Sequence, residues 1–512
     1  MARGDLPELV RLPDGRTEPF EPERIARSLF AAGERLGRAN AFLARELTDS
    51  VLHFLATPGA GPVTTPVQVA EVVGKVVREL GHPGLALAYE ERSATRASAR
   101  RSGVDPEPRV VPDWLNSSLP PAAIHVAIAR EQLRAFSLAA LVPPDLLSAH
   151  EEGLLQLTGL EHPRELDGLV THLPPGGLLD AVTAARDVTG GLVAVDGPEF
   201  DLAPLEGHAS VLAETFLRAT RLAADALGLR VLLNLNIGTL PPRMAEASGP
   251  LFRAASDVSA DRRREIAEAL ADRASEVTFD VWWHVSADGI DAPLPHGVVK
   301  RRHTFVVVDR PRDPVILGPG IDRQTPAALV RVGINLARLV EMMGGPPVDP
   351  EVFLRKVGSL TRFAKTAGHV KLDLLRRYGR PPVRAAFLLD RARLVLVPTE
   401  LEVAACSTAQ SPVEFARLVL RAVRTAAETD RPRVMPVRVE PTLGAEFWDA
   451  VIGPAPPVRH QVRVGSQVLA VTGAGCLDLV HPERPPFTTS EISAALRAAV
   501  KSAVTRVHFI HS

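Results

Sequence analysis

Five polar residues in the second half of the chain could carry acid–base or binding chemistry. They are two carboxylates, an imidazole, an amide and a guanidinium: Asp280, His284, Asn335, Arg338 and Glu440. A carboxylate beside a histidine can exchange protons with a substrate, while an amide and a guanidinium can orient one. Their spacing along the chain does not place them next to one another. They are therefore candidates for a cavity and do not by themselves define a site.

A metal site has little support in the sequence. His284, His296 and His303 lie close together in the chain, but their spacing fits no metal-binding pattern. The neighbouring basic run, residues 300–302, could hold a phosphate, although such runs usually form a solvated surface. The two cysteines, Cys406 and Cys476, exclude a disulfide framework and a cysteine-based zinc site. We expect no metal, and we expect both cysteines to be small buried side chains.

Composition narrows the class of protein. The chain has 512 residues, a formal net charge of −1, 23% charged residues and 46% hydrophobic residues, which is typical of a globular protein with two or three domains. A net charge near zero gives no reason to expect nucleic acid or a membrane surface as a partner. The N-terminus has no apolar segment of signal-peptide type, and no apolar run is long enough to span a membrane. We therefore expect a cytoplasmic protein.

The elements that must position the candidate residues alternate between strands and helices. Val330–Gly345 begins as an apolar strand and turns at Asn335 into a helical pattern that ends in Gly-Gly. Further strands are predicted at Val231–Ile237, Glu276–Val285 and His303–Val308, and amphipathic helices at His208–Leu229, Pro350–Arg377 and Ser411–Thr429. This alternation predicts an α/β fold.

The N-terminal residues follow a different pattern. Residues 8–20 predict a hairpin with its turn at Asp14-Gly15. Four helices are predicted after it: one that starts at Glu21-Pro22-Glu23, one near Ala41–Leu55, one capped by Thr65 with Pro66 in its first turn, and one from about Leu85 through Tyr89. The polar, proline-containing stretch Ser98–Asp113 then predicts a linker.

A hairpin followed by four helices resembles the ATP-cone, the regulatory nucleotide-binding module at the start of many ribonucleotide reductases. Short segments carry the resemblance in the family's order: Val10, Asp14-Gly15-Arg16, Pro19-Phe20, Arg24-Ile25, Val63-Thr64-Thr65, Glu79-Leu80-Gly81 and Ala88-Tyr89. The resemblance implies that ATP or dATP binds at Val10, Arg11, Arg16, Arg24, Thr65 and Tyr89. Leu12 and Pro13 stand where the family usually has Lys-Arg beside the phosphates, and Arg11, Arg16 and Arg24 could replace part of that charge.

Later segments resemble anaerobic (class III, glycyl-radical) ribonucleoside-triphosphate reductases. Asp145–Leu160 is similar to AHxxGxIHIHDL, Val330–Gly345 to INLPR, Leu394–Ala405 to GIxGLNEA, and Val437–Phe447 to xxExTPAExxxxRF. The resemblance implies a small, mostly helical ATP-cone in residues 1–98, a linker in 99–115, and a ten-stranded α/β barrel of ribonucleotide reductase type in 116–512. Such a barrel has two antiparallel halves of five parallel strands. Asn335, Arg338 and Glu440 are then expected at its cavity.

The radical chemistry of that family has no counterpart in the sequence. The family's finger loop carries the cysteine that becomes a thiyl radical, and the corresponding stretch here, Val315–Arg323, has Gly318-Pro319-Gly320 and no cysteine. We also expect the chain to lack the zinc module and the glycyl-radical loop that follow the barrel in the family.

We therefore expect a nucleotide-binding sensor, regulator or assembly partner that is a catalytically inactive relative of the reductases. Two alternatives stay open: an enzyme that uses the barrel cavity for non-radical chemistry, and a scaffold protein that binds no nucleotide. By analogy with ATP-cones, we expect a homo-oligomer.

Overall fold

The computed structural model describes residues 6–11, 17–36, 38, 40–56, 63–95, 121–171, 188–227, 229–237, 259–274, 279–286, 303–310, 313–384, 389–429, 435–453, 456–480, 487–502 and 504–510. The chain divides into two compact units. The smaller comprises Met1–Pro108 with Phe136–Leu155, and the larger comprises Arg109–Ala135 with Gln156–Ser512. The segment Phe136–Leu155, expected at the start of the barrel, thus groups with the N-terminal residues. The predicted linker lies outside the described residues.

The described helices are α1 (Pro22–Arg35), α2 (Ala41–Leu55), α3 (Pro66–Glu79), α4 (Pro83–Thr95), α5 (Pro121–Phe136), α6 (Pro144–Glu151), α7 (Pro198–Leu202), α8 (Ala209–Leu227), α9 (Ala260–Ala274), α10 (Leu336–Met342), α11 (Pro350–Tyr378), α12 (Pro381–Arg384), α13 (Leu401–Ala405), α14 (Pro412–Glu428), α15 (Ala445–Val451), α16 (Val458–Leu469) and α17 (Thr489–Val500), with a π-helical turn at Ser137–Leu141.

The described strands are β1 (Leu9–Arg11), β2 (Thr17–Pro19), β3 (Val63–Thr64), β4 (Leu155–Leu157), β5 (Leu166–Thr171), β6 (Thr189–Asp196), β7 (Arg230–Ile237), β8 (Asp280–Ser286), β9 (His303–Asp309), β10 (Ile316–Gly318), β11 (Ile321–Asp322), β12 (Ala327–Asn335), β13 (Ala392–Thr399), β14 (Val437–Val439), β15 (Thr442–Leu443), β16 (Cys476–Val480) and β17 (Arg506–Ile510).

The smaller unit combines a three-stranded sheet with helices. Strand β1 lies in the middle, antiparallel to β2 and parallel to β3. The sequence predicted the β1–β2 hairpin and the range of α2, and both are confirmed. Helix α3 starts as predicted, because Thr65 and Gln68 form a capping box ahead of Pro66. Helix α4 begins earlier and ends later than predicted.

The larger unit is built on one large mixed sheet. Its strand order is β14-β13-β12-β5-β6-β7-β8-β9-β17-β16-β15, and β4 pairs with β12. Strands β5 to β9 are parallel to one another, as are β12 to β14 and β15 to β17. The sets meet antiparallel at β5–β12 and at β9–β17. The expected α/β class is confirmed.

The two ends of this strand order belong to one stretch of chain. Strands β14 and β15 are separated only by Glu440 and Pro441. The backbone N–H of Glu440 donates to the Leu396 carbonyl on β13, and the N–H of Cys476 on β16 donates to the Pro441 carbonyl. The order therefore returns to its start. Counted with β14 and β15 as one interrupted strand, it has two antiparallel halves of five parallel strands, as expected for the barrel.

A short hairpin, β10–β11, lies between the two halves; we call residues 316–322 the finger hairpin. Ile316 packs in an apolar cluster with Ala194, Leu232, Trp282 and Val307 from β6 to β9. At the turn, Gly320 faces Val395 on β13 of the other half. Alternate residues of these strands thus point inwards onto the hairpin.

Helices cover the outer faces of the strands. The longest, α11, is capped by Asp349, whose side chain accepts the backbone N–H groups of Glu351 and Val352. A Cβ at Gly368 of this helix would lie 2.6 Å from Met435 Cε and 3.1 Å from Leu394 Cδ2 on β13, so these side chains would have to shift. Within the described residues, no helix is both long and apolar enough to cross a membrane.

We expect Gly320→Ala to destabilise the larger unit. A Cβ at Gly320 would lie 2.0 Å from Val395 Cγ2, and its φ of +74° disfavours any L side chain. Overpacking and the left-handed backbone together should lower the free energy of unfolding by about 2–4 kcal/mol. Urea titration followed by tryptophan fluorescence measures this, since all four tryptophans fall in the larger unit.

The matched control is Gly344→Ala, which has a φ of +97° but nothing within 4 Å of the added Cβ. It should cost only about 1–2 kcal/mol, from the backbone alone. Equal losses for the two variants would contradict the close packing of the finger hairpin.

Candidate functional site

Polar side chains cluster inside the large sheet at the carboxyl ends of β6 to β9. The residues are Asp196, Asn234, His284 and Asp309, one from each of four successive parallel strands, and all are buried. The carboxyl ends of parallel strands are where α/β proteins usually place ligand-binding groups. This end of the larger unit is therefore the first place to look for a site.

Three of these residues form a continuous hydrogen-bonded chain. His284 Nε2 lies 2.9 Å from Asn234 Oδ1, and His284 Nδ1 lies 3.1 Å from Asp309 Oδ2. The Asn234 amide donates to the Leu317 carbonyl of the finger hairpin at 2.9 Å and to the Val195 carbonyl at 3.3 Å. The chain thus connects β9, β8 and β7 to the hairpin.

Two acidic residues, Asp196 and Glu199, lie beside these hydrogen-bonded residues. Arg323, just after the finger hairpin, binds both carboxylate oxygens of Asp196 at 3.0 and 3.2 Å. Glu199 on α7 accepts the backbone and side-chain N–H groups of Asn236 through Oε1, at 3.0 and 2.7 Å, while its buried Oε2 has no hydrogen-bond partner among the residues that the structure describes. Burial raises the pKa of Glu199 to about 7, and the Asn236 hydrogen bonds only partly oppose this.

On the other half of the sheet, charged residues hold the turn of the finger hairpin. Glu440 accepts the backbone N–H of Gly320 at 2.8 Å, and its other oxygen lies 2.9 Å from Arg438 Nε. Arg393 donates to the Gly320 carbonyl at 3.3 Å. Asp322, with no exposed surface, is bound by Arg393 at 2.8 Å and by Arg438 at 3.2 Å.

A last polar group lies on β16 and β17. The Arg506 guanidinium lies 4.6 Å over the Trp282 ring, and His508 Nδ1 lies 3.2 Å from Asp478 Oδ1. Cys476 Sγ lies 3.4 Å from Asp478 Oδ1. Burial raises the pKa of the Cys476 thiol to about 12, so this cysteine is a poor nucleophile.

The structure separates the barrel residues that the sequence proposed. His284 and Glu440 lie inside the sheet, as described above. Asp280 instead pairs with Arg230 on an exposed part of the strands, at 3.2 Å. Asn335 caps α10 by accepting the backbone N–H of Arg338 at 2.9 Å, and the Arg338 guanidinium is 42% exposed and pairs with Glu341. An asparagine at a strand–helix junction is a common cap, and that is its role here.

Asn335 also lies at a different level of the sheet from the finger hairpin. It pairs with Thr399, four residues beyond Val395 on the same strand. At a rise of about 3.3 Å per residue this separates it by about 13 Å along the strand from the residue that faces Gly320. Asn335 and Arg338 are therefore placed at the start of α10, at a different level of the sheet from the Gly320 turn that Glu440 binds.

The cysteine expectation needs one correction. Cys476 is buried, as expected, but Cys406 is exposed. Cys406 follows the last residue of α13 as its C-cap, so its side chain leaves the packed face of that helix. Among the described residues, His, Cys, Asp and Glu side chains form no group of three or more that could hold a metal ion. His296 and the basic run 300–302 lie outside the described residues.

The small sheet brings together several of the predicted nucleotide-binding residues. Val10 on β1 pairs with Glu18 on one side and with Thr64 on the other, which places the exposed Arg11 near Thr65. Arg24 binds Glu18 at 2.8 Å and Glu21 at 3.0 Å. These ion pairs raise the pKa of Arg24.

The other predicted nucleotide-binding residues are less informative. The Thr65 hydroxyl is used in the capping box with Gln68. Tyr89 is buried on α4. Arg16 lies outside the described residues.

Sequence reasoning missed most of the polar interior. The omitted residues share a position at the end of an apolar strand run or beside the finger hairpin: Asp196, Glu199, Asn234, Asp309, Asp322, Arg393 and Arg438. A signal was present for Asp196, Asn234 and Asp309, because the runs LVAVD, VLLN and FVVVD each end in one of these polar residues. The arginines carried no such signal, since strand periodicity alone does not say which face of a sheet is the interior.

Comparison with known proteins adds information on the fold. No family model and no curated protein sequence matches the chain. Solved structures do match it. An anaerobic ribonucleotide reductase from Thermotoga maritima with MES in the active site has a TM-score of 0.53 and 13% identity, over 78% of this chain and 86% of that one. A second structure described as an anaerobic ribonucleotide reductase gives 0.54 and 13%, over 78% and 82%.

The larger part of the chain has the fold of an anaerobic ribonucleotide reductase. A third match, the Thermotoga maritima reductase in complex with dATP and CTP, has a TM-score of 0.52 and 12% identity, over 78% of this chain and 85% of that one. Identities this low establish shared architecture and leave activity and ligands to be argued from the residues themselves.

The Glu199 pKa predicts a pH-dependent stability. A glutamate with its ordinary pKa of 4.5 in the unfolded chain and about 7 in the fold takes up a proton on folding between those values. Stability should therefore fall as pH rises from 4.5 to 7 and then level off. Glu199→Gln cannot ionise, so relative to wild type it should gain up to about 3 kcal/mol between pH 4.5 and 8.

Urea titrations at several pH values, read by tryptophan fluorescence, measure this difference. Glu341→Gln is the control, because Glu341 is 65% exposed and pairs with Arg338 on the surface. Parallel pH profiles for wild type and Glu199→Gln would show that Glu199 is not protonated in the fold.

Proposed function

We propose that this protein binds ATP or dATP at its smaller unit and serves as a nucleotide sensor or regulator, with a reductase-like larger unit that does not carry out radical reduction. The observation that carries the proposal is the register of the small sheet. Val10 pairs with Thr64 and Glu18, Arg11 is the next residue along β1 and Thr65 the next after β3, and Arg24 binds Glu18. These were four of the six positions at which the sequence predicted nucleotide binding.

The charges at this end of the sheet fit a phosphate ligand. Arg11 is exposed, and the Arg24 side chain is 52% exposed, so both guanidinium groups are accessible. Exposed ion pairs such as those of Arg24 with Glu18 and Glu21 contribute little stability, about 0–1 kcal/mol each. A triphosphate could therefore displace the carboxylates at small cost and form charge-assisted hydrogen bonds instead.

The contacts of the larger unit support the absence of thiyl-radical chemistry. In the resembled family a cysteine occupies the tip of the finger loop, whereas here the turn is Pro319-Gly320. The N–H and the carbonyl of Gly320 are held by Glu440 and Arg393, and Val395 leaves no space for a side chain there. The interior at this point is occupied by backbone.

Calorimetric titration of the full chain with ATP and with dATP tests the binding site. Arg11→Ala should weaken binding about tenfold or more, because it removes a charged donor to phosphate. Glu18→Gln should strengthen binding, because it frees Arg24 from its nearest carboxylate. Lys75→Ala is the matched control in the same unit, since Lys75 is 74% exposed on α3, where its ammonium lies 4.0 Å from Glu79.

Unchanged affinity in Arg11→Ala and Glu18→Gln would place the nucleotide elsewhere. Heat-free titrations with both nucleotides, confirmed by unchanged thermal stability, would instead favour the scaffold interpretation.

A variant without cysteines tests whether nucleotide binding requires either thiol. Cys406→Ser together with Cys476→Ser should leave the affinity for ATP within about twofold of wild type, because neither thiol belongs to the proposed site. Calorimetry on the double variant provides the measurement. A large loss of affinity with an intact fold would assign one of the cysteines a role that the proposal does not include.

A further inference from the structure

We propose that the finger hairpin is fastened by a proton-dependent latch, formed by Asp309, His284 and Asn234 and ending on the Leu317 carbonyl. The latch is built from residues of the larger unit and does not depend on nucleotide binding. The proposal follows from which atom must donate in each of these hydrogen bonds.

The amide of Asn234 fixes the direction of the first bond. Its Nδ2 faces two backbone carbonyls, Leu317 O at 2.9 Å and Val195 O at 3.3 Å. Carbonyl oxygens only accept, so the nitrogen of the amide has to be on this side and Oδ1 has to face His284. Since Oδ1 only accepts, His284 Nε2, 2.9 Å away, must carry a hydrogen.

The other ring nitrogen faces a carboxylate. His284 Nδ1 lies 3.1 and 3.3 Å from the two oxygens of Asp309. An ionised carboxylate also only accepts, so Nδ1 must carry a hydrogen as well. A neutral imidazole has one N–H and cannot satisfy both partners. With both nitrogens protonated the ring is an imidazolium, and His284 and Asp309 form a buried ion pair.

Loss of that proton breaks the latch in either tautomer. If Nε2 keeps its hydrogen, the bare Nδ1 faces the Asp309 carboxylate, and two acceptors oppose each other. If Nδ1 keeps it, the bare Nε2 faces Asn234 Oδ1. Relieving that contact by rotating the amide would turn Oδ1 towards Leu317 O and Val195 O. With His284 only 2% exposed, water cannot readily repair any of these contacts.

Apart from Asp309, the charges near His284 are largely balanced or positive. Asp196, paired with Asn234 on β6, is neutralised by Arg323. Glu199 accepts a hydrogen bond from Asn236, the residue that pairs with His284 in the sheet. The pKa of Glu199 is raised to about 7, so this carboxyl group is partly neutral at neutral pH. Arg506 on β17, which pairs with Val307 next to His284, opposes a further positive charge. Asp309 is the carboxylate in direct contact, and imidazole is a stronger base than a carboxylate.

Two measurements on the full-length protein test the latch. Nitrogen NMR of histidine-labelled protein, with His284 assigned by His284→Gln, should show both ring nitrogens of His284 protonated at neutral pH. Hydrogen exchange should show that the protection factors of the 313–322 segment fall as pH rises. Where opening releases one proton, the fall should be about tenfold per pH unit. The segment Ala392–Thr399 is the internal reference.

The variant Asp309→Asn should keep the hydrogen bonds of the latch without a proton on both nitrogens of His284. The new amide can donate to Nδ1, so a neutral His284 satisfies both neighbours. We expect one protonated ring nitrogen in this variant and finger-hairpin protection that no longer depends on pH. Asp313→Asn is the matched control, since Asp313 is 48% exposed and pairs with Arg310, and it should keep the wild-type pH dependence.

The proposal is overturned by a single protonated nitrogen on wild-type His284 at neutral pH. It is also overturned if protection of the finger hairpin is independent of pH, or if Asp309→Asn keeps the wild-type slope. The NMR and exchange measurements on wild-type protein remain decisive even if a variant does not fold.

Discussion

Asp322 has no exposed surface, so the larger unit itself must supply the countercharge and the hydrogen bonds for its carboxylate. Its Oδ1 accepts the backbone N–H groups of Gln324 and Thr325 and the Thr325 hydroxyl, at 2.7 to 2.9 Å. Its Oδ2 binds Arg393 and Arg438, which come from neighbouring strands. One carboxylate thereby fixes the end of the finger hairpin, β13 and β14 relative to one another. Removing either arginine would leave part of a buried charge unbalanced, which is why such networks tolerate little change.

The same constraint explains how the interior is divided. Where the finger hairpin meets β6 to β9, the contact is an apolar cluster around Ile316 and Trp282. Where it meets β13 and β14, the contact is made of ion pairs and backbone hydrogen bonds around Gly320. Apolar packing needs only matching shapes, but each buried charge needs a specific partner. The hairpin is therefore positioned by its charged side, while its apolar side fills the remaining space.

Sequence patterns predicted the elements far better than the interior. The helix cap at Thr65 and the proline-started helices depend on residues a few positions apart, and such local signals can be read directly. The α/β alternation and the order of the short family-like segments were enough to predict the fold of the larger unit. His284 was identified as a candidate, but its partners Asn234 and Asp309 lie 50 and 25 residues away, and only strand register brings them together. The same lack of register information placed Asn335 at the cavity, although a strand-end asparagine serves equally well as a helix cap.

Ion pairing has opposite consequences in the two units. In the interior of the larger unit, Arg393 and Arg438 are 13–14% exposed and their carboxylate partner Asp322 is fully buried. Exchanging one partner for a ligand would therefore leave a buried charge without its partner. In the smaller unit, Arg24 and its partners Glu18 and Glu21 are about half exposed, and water and salt screen their attraction. A guanidinium held this weakly can change partners at little cost, whereas one held by Asp322 cannot. Because its ion pairs are more exposed, the smaller unit is a better place than the barrel interior for an anionic ligand to enter and leave.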